Sequence, residues 1–152
     1  MIDLFMDNVI VQEIILLAKP ALFNAYFALA SIPIGFPFAI LLALGKFSSN
    51  KWISMPVRGF IYAFRGSPLF IQFFMFYALM LSLNKVLWKP MGVDDWILHP
   101  LFIGPLVLIL NTGAYAAEIF YGALRTIPKG EVEAARAMGM SKRQVFKTVT
   151  WP

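Results

Sequence analysis

Three long stretches without charge divide the chain into apolar blocks separated by short polar connections. No Asp, Glu, Lys or Arg occurs from Pro20 to Gly45, and the 24 residues Ala21 to Leu44 would reach about 36 Å as a helix, enough to cross roughly 30 Å of hydrocarbon with some tilt. The pattern predicts a first membrane helix over 21–44. Pro33 and Pro37 lie inside it; in a membrane bundle, neighbouring helices can satisfy the carbonyls that prolines leave unpaired. The polar turn 46–51 follows. An apolar stretch then runs to Phe64, interrupted by Arg58, with Arg65 seven residues later on the same helical face, a pattern that suits a helix at the membrane surface. A second uncharged stretch, dense in phenylalanine, predicts a span over about 67–84, entered at Ser67-Pro68. A loop of mixed charge, Lys85 to Asp95, is bracketed by Trp88 and Trp96 as interfacial anchors, and a third span is expected over about 97–121. Three crossings place the two ends on opposite sides. Residues 1–19 then form a separate extracytoplasmic segment.

The tail from Arg125 carries helix punctuation. Pro128 suits a first helical position, Glu131 and Glu133 favour the positive amino end, and Gly139 is placed to end the helix in a left-handed conformation. Ser141 followed by Gln144 predicts a capping box for a second short helix. There Val145, Phe146 and Val149 share one face and Lys142, Arg143 and Lys147 supply the polar side.

Composition changes the picture by excluding a water-soluble domain: 60% of the residues are hydrophobic, 14% are charged and the mean hydropathy is +0.74, more apolar surface than 152 residues can bury. The net charge of +5 comes from basic residues in a few short stretches. Lys46, Lys51, Arg58, Arg65, Arg125, Lys129, Arg136, Lys142, Arg143 and Lys147 fall on one side of the expected spans, and Lys19, Lys85 and Lys89 on the other. Ten against three puts the tail in the cytoplasm and the amino terminus outside, and argues against a nucleic-acid surface. With no cysteine and a single histidine, His99, neither a disulfide framework nor a thiolate or histidine-cluster metal site can form. The acidic amino terminus lacks the pattern of a secretory signal and reads as mature protein.

The tail also carries Glu133-Ala134-Ala135, three residues, Gly139, nine residues, Val149, one residue, Trp151 and Pro152. This resembles the signature loop by which the inner-membrane components of binding-protein-dependent ABC importers dock onto their ATPase. Val149 and Trp151 stand where Ile and Leu are usual. Two further stretches resemble the polar amino-acid branch of that family: Phe64-Arg65-Gly66-Ser67-Pro68-Leu69 with Gln72, and Asn111-Thr112-Gly113-Ala114-Tyr115 with Glu118-Ile119-Phe120, Gly122 and Pro128-Lys129-Gly130. The texture is similar to permeases for histidine, basic amino acids and opines. The resemblance implies an all-α polytopic helix bundle, the amino-terminal part of the type I ABC importer permease fold, with an incomplete type-1 transmembrane domain over 20–152. It also implies a bacterial inner-membrane location and alternating access. Its partners would be an ATP-binding subunit, a second permease subunit (identical or paralogous) and an extracytoplasmic solute-binding protein. Members of the family continue with further helices after the signature loop, so a fragment or a disrupted reading frame is expected.

No Gly-x-x-x-x-Gly-Lys-Ser/Thr phosphate loop occurs, so ATP hydrolysis is assigned to a partner, and no catalytic residue, cofactor or metal is expected. The candidate coupling residues are Glu133, Ala134, Ala135 and Gly139: alanine methyls permit close approach to a partner groove, and Glu133 can meet a basic residue. Gln72, Asn111, Thr112 and Glu118 are candidates for gating or for the translocation path. For the first three, interhelical hydrogen bonding is the alternative use; for Glu118, the alternative is a simple pair with Arg125 two turns on. Two other classes compete with the permease reading. One is a small three-helix membrane scaffold or regulator without transport activity. The other is an ion-coupled carrier, disfavoured by the lack of charge deep in any span.

Overall fold

A computed structural model describes residues 2–150, with side chains from Val9 onward; Trp151 and Pro152, the end of the signature, lie outside the described residues. Among the described residues there are helices and turns and no strand. Helix α1 runs Ile2–Phe47, α2 Lys51–Gly66 and α3 Leu69–Leu83, the last prolonged by a π-helical turn, Asn84–Trp88. Then come α4 (Asp94–Ile97), α5 (Pro100–Thr126), α6 (Lys129–Ala137) and α7 (Lys142–Val145), which passes into a second π-helical turn, Phe146–Thr150. Three helices are long and apolar enough to cross a membrane: Val9–Phe47, Leu69–Trp88 and Pro100–Thr126.

The first of these is longer than the uncharged stretch predicted. Its 39 residues would extend about 58 Å, nearly twice the hydrocarbon thickness. The charges at Asp7, Glu13 and Lys19 limit how much of the helix lipid can cover without breaking the helix. Residues 2–19 are helical and continuous with the first span.

The chain divides into two compact units, Met1–Gly35 with Pro68–Leu110, and Phe36–Ser67 with Asn111–Pro152. In the first, the Tyr26 hydroxyl donates to the Leu101 carbonyl at 2.9 Å. The Phe27 ring lies against Gly104, where an added Cβ would come within 2.5 Å of it. Of the α3 side chains, Gln72 is the buried one. Most of the surface of α3 and of the early part of α1 is exposed apolar side chain, which suits helices whose solvent is lipid.

In the second unit, Ala39, Leu42, Ala43, Ile61 and Ala117 form a core of mostly small residues, with Phe38, Val57, Phe60 and Phe120 packed around it. Small side chains let helix axes approach closely, the usual means of helix association where lipid supplies no hydrophobic drive. Phe38 fills the space over Gly113, 2.5 Å from where a Cβ would sit, and meets Phe60 edge-on at 5.8 Å. Asn50 caps α2, its side chain accepting from the Trp52 amide at 3.0 Å. The helix ends at Gly66 because Ser67 and Pro68 are both extended. Thus α2 and α3 are separate helices.

Candidate coupling helix and charged cluster

Helix α6 begins at Lys129, with Pro128 at the cap position in an extended conformation, one place earlier than the first-turn position expected of it. Its far end is closed by a Schellman motif: the Gly139 amide donates to the Arg136 carbonyl at 2.9 Å and the Met140 amide to the Ala135 carbonyl at 3.1 Å. That geometry needs a left-handed residue, and Gly139 supplies it at φ +82°. The chain then enters α7 through the expected capping box. The Gln144 amide donates to Ser141 Oγ at 3.4 Å, and the Ser141 amide donates to Gln144 Oε1 at 2.8 Å. Val145 is buried, while Phe146 is exposed.

The coupling candidates separate around α6. Glu133 and Ala134 are exposed, whereas Ala135 is 2% exposed and faces its own unit. Adjacent positions on a helix point about 100° apart: Ala134 lies on the surface of this chain and Ala135 is packed within it. Beneath α6 lies an open cavity of about 450 Å³, lined by Leu44, Phe47, Leu124, Val132 and Val145 together with Glu133.

The second feature of this unit is a carboxylate held by two cations. Glu118 Oε2 lies 2.5 Å from Lys46 Nζ and 3.4 Å from Arg65 Nη1, with side chains 32%, 13% and 42% exposed respectively. Arg125, the partner expected from its place two turns on, is not the one; its guanidinium lies 5.9 Å from the centre of the Tyr121 ring. Lys46 approaches the same ring at 4.3 Å, and Arg65 is steadied by Tyr115, whose hydroxyl donates to the Arg65 carbonyl at 3.3 Å. The sequence pattern places Lys46 only in the polar turn 46–51. Its pairing joins positions 72 apart, and no local pattern carries that information.

Asn111 and Thr112 are half-buried on α5, and Asn111 sits two turns from Glu118 on the same face. Gln72 belongs to the other unit. Among the described residues, no group of His, Cys, Asp and Glu could hold a metal ion.

Comparison with known proteins covers most of the chain. Residues 35–152 match the family model described as "Binding-protein-dependent transport system inner membrane component". The histidine/lysine/arginine/ornithine transport system permease protein HisM of Salmonella typhimurium is 40% identical over 124 residues, covering 82% of this chain and 52% of that protein. The nopaline transport system permease protein NocM of Agrobacterium fabrum is 35% identical over 125 residues, again 82% of this chain and 52% of the relative. A solved structure, "Crystal structure of an amino acid ABC transporter with histidines", aligns with a TM-score of 0.62 and 25% identity over 90% of this chain and 62% of that one. The chain spans about half the length of the curated relatives it matches. With three helices able to cross a membrane and a family model matched from residue 35 to residue 152, the chain belongs to the binding-protein-dependent transport system inner membrane components.

Proposed function

We propose that this chain is the amino-terminal part of a permease subunit of an ABC importer for polar amino acids, with basic amino acids or opines as the substrate class. It takes its energy from ATP hydrolysed by a partner subunit. The observation that carries the reading is α6, a short helix closed by Gly139 with Glu133 and Ala134 exposed, in the stretch that resembles the signature loop and within the residues matched by the family model. The names of the relatives, transport systems for histidine, lysine, arginine, ornithine and nopaline, support the substrate class.

In this reading the ATPase grips the exposed side of α6, and Ala135 on the opposite side ties that helix to its own unit. A tilt of α6 then passes into the bundle as a rigid-body motion, and the cavity beneath it leaves room for the movement. Lys46, Arg65 and Glu118 form an ion cluster that biases the bundle toward one arrangement, and Asn111, Thr112 and Gln72 are candidates for the path. A second permease subunit and an extracytoplasmic solute-binding protein complete the assembly. The tail faces the cytoplasm and the amino terminus faces outward. The course of the helices in the second unit supports placing the two ends on opposite sides: Phe38 pairs with Gly113 and Lys46 with Glu118, so α1 and α5 run in parallel and the chain recrosses between them; the count of basic residues supports which side is which.

The test is co-purification with an ABC ATPase subunit from the same organism, co-expressed with this chain. The unaltered chain should retain it, and Glu133→Lys or Ala134→Trp should release it while membrane insertion is unchanged. If the unaltered chain retains no ATPase, the reading fails and a scaffold without transport activity takes its place.

A further inference from the structure

Helix α2 places Lys51, Arg58 and Arg65 at intervals of seven, so they form one stripe along it, and the helix contains no acidic residue. Its buried side is made by Ser54 and Ile61. Beside the basic stripe, Trp52 and Tyr62 stand 91% and 82% exposed. Basic side chains next to exposed amphipathic aromatics are the pattern of a helix lying in a headgroup layer. At the middle of this stripe is an open cavity of about 360 Å³, lined by Lys46, Arg58, Ile61, Tyr62, Arg65 and Glu118. Three cations there face one carboxylate, a formal excess of 3 − 1 = +2. Glu118 satisfies Lys46 and part of Arg65. One Arg58 nitrogen lies 3.5 Å from the Lys46 carbonyl, at the limit of hydrogen bonding. A guanidinium has five donors, so Arg58 and Arg65, both exposed, keep donors beyond these contacts at a cavity with Glu118 as the one acidic residue in its lining.

We propose that this cavity binds the phosphate of an anionic phospholipid headgroup, held in bidentate fashion by Arg58 and Arg65, with Tyr62 and Trp52 seated in the same layer. The chemistry is that of an oxyanion with two or more acceptor oxygens facing planar guanidinium donors. Basic pockets between membrane helices at the headgroup level take such lipids. The lipid is favoured over free phosphate because the cavity is lined by an amphipathic helix that stands in the sequence between two helices long and apolar enough to cross a membrane. The inference does not depend on whether the chain transports anything. Glu118 competes with the phosphate for Lys46 and Arg65, so occupancy of the site weakens the ion cluster.

The full chain, in nanodiscs of phosphatidylcholine, would be titrated with phosphatidylglycerol and bound lipid counted by native mass spectrometry beside the thermal midpoint. Phosphatidylglycerol should be retained in preference to phosphatidylcholine. Arg58→Gln and Arg65→Gln should each weaken that preference about five-fold, whereas Lys85→Gln and Lys89→Gln, exposed at the end of α3 and in the turn after it, should leave it unchanged. Glu118→Gln should strengthen it several-fold by releasing the two cations, which a purely structural role for the carboxylate would not do. No preference for the anionic lipid, or equal loss in the Lys85 and Lys89 variants, would overturn the site. Equal stabilisation by inorganic phosphate in phosphatidylcholine discs would overturn its assignment to a lipid.

Discussion

Lys46 Nζ meets Glu118 Oε2 at 2.5 Å, joining the end of α1 to the last third of α5, and Arg65 of α2 reaches the same oxygen at 3.4 Å. One carboxylate thus ties three helices. Removing it has a different effect from removing either cation, because the two cations would then face each other without an intervening charge.

Glu118→Gln is therefore expected to destabilise the second unit by about 1–3 kcal/mol, the usual cost of leaving an enclosed polar group without its partner. Arg65→Gln should cost less, since Lys46 remains paired and Arg65 is 42% exposed. Thermal unfolding in matched detergent, followed by circular dichroism, ranks the two; the reverse order would mean that Arg65 is the principal partner.

Gly113 has no room for a methyl group. Its Cβ would fall 2.5 Å from the Phe38 ring, which is held edge-on by Phe60 and cannot swing away freely. Gly113→Ala should cost about 1–3 kcal/mol by overpacking, and Gly113→Ala combined with Phe38→Leu should recover part of it. A non-additive double-mutant cycle in a thermal assay is the expected signature.

Gly139→Ala should weaken α6 through backbone strain, by about 1–2 kcal/mol, because a left-handed residue with a Cβ meets the following carbonyl. Gly139→Asn should cost less, since asparagine tolerates that conformation. Hydrogen exchange at the Met140 and Gly139 amides reports the effect directly, and equal protection in all three proteins would count against it.

Ser141→Ala removes one arm of the capping box and should cost about 0.5–2 kcal/mol locally. Faster exchange at the Gln144 amide, with α5 unaffected, is the expected observation. The exposed face of α6 gives a sharper contrast: Ala134→Glu should leave the fold intact, whereas Ala135→Glu, at a buried position, should unfold the tail, as limited proteolysis would show.

What the sequence made legible was local. Gly139, Ser141 and Gln144 announce their caps because the groups that need satisfying lie within four residues of them. The three apolar helices are visible because lipid imposes a length and forbids charge over it. The partner of Glu118 was missed for the opposite reason. Arg125 is a neighbour along the same helix, while Lys46 is 72 residues away, and only packing brings it near. The helical extension back to Ile2 was missed because Asp7, Glu13 and Lys19 reveal which solvent a residue meets and leave the backbone conformation open. The split between Ala134 and Ala135 required knowing which way α6 is turned, and Val145 and Leu124, which line the cavity beneath it, are distant from it in sequence or on another helix.

Helix α3 has apolar side chains around nearly its whole circumference, and its one buried residue is Gln72. A rod greasy on every side gains no preferred rotation from lipid, and the amide at position 72 is the one side chain on it that the fold encloses. Replacing that glutamine with leucine would make the helix more oily and at the same time less certain of where to point.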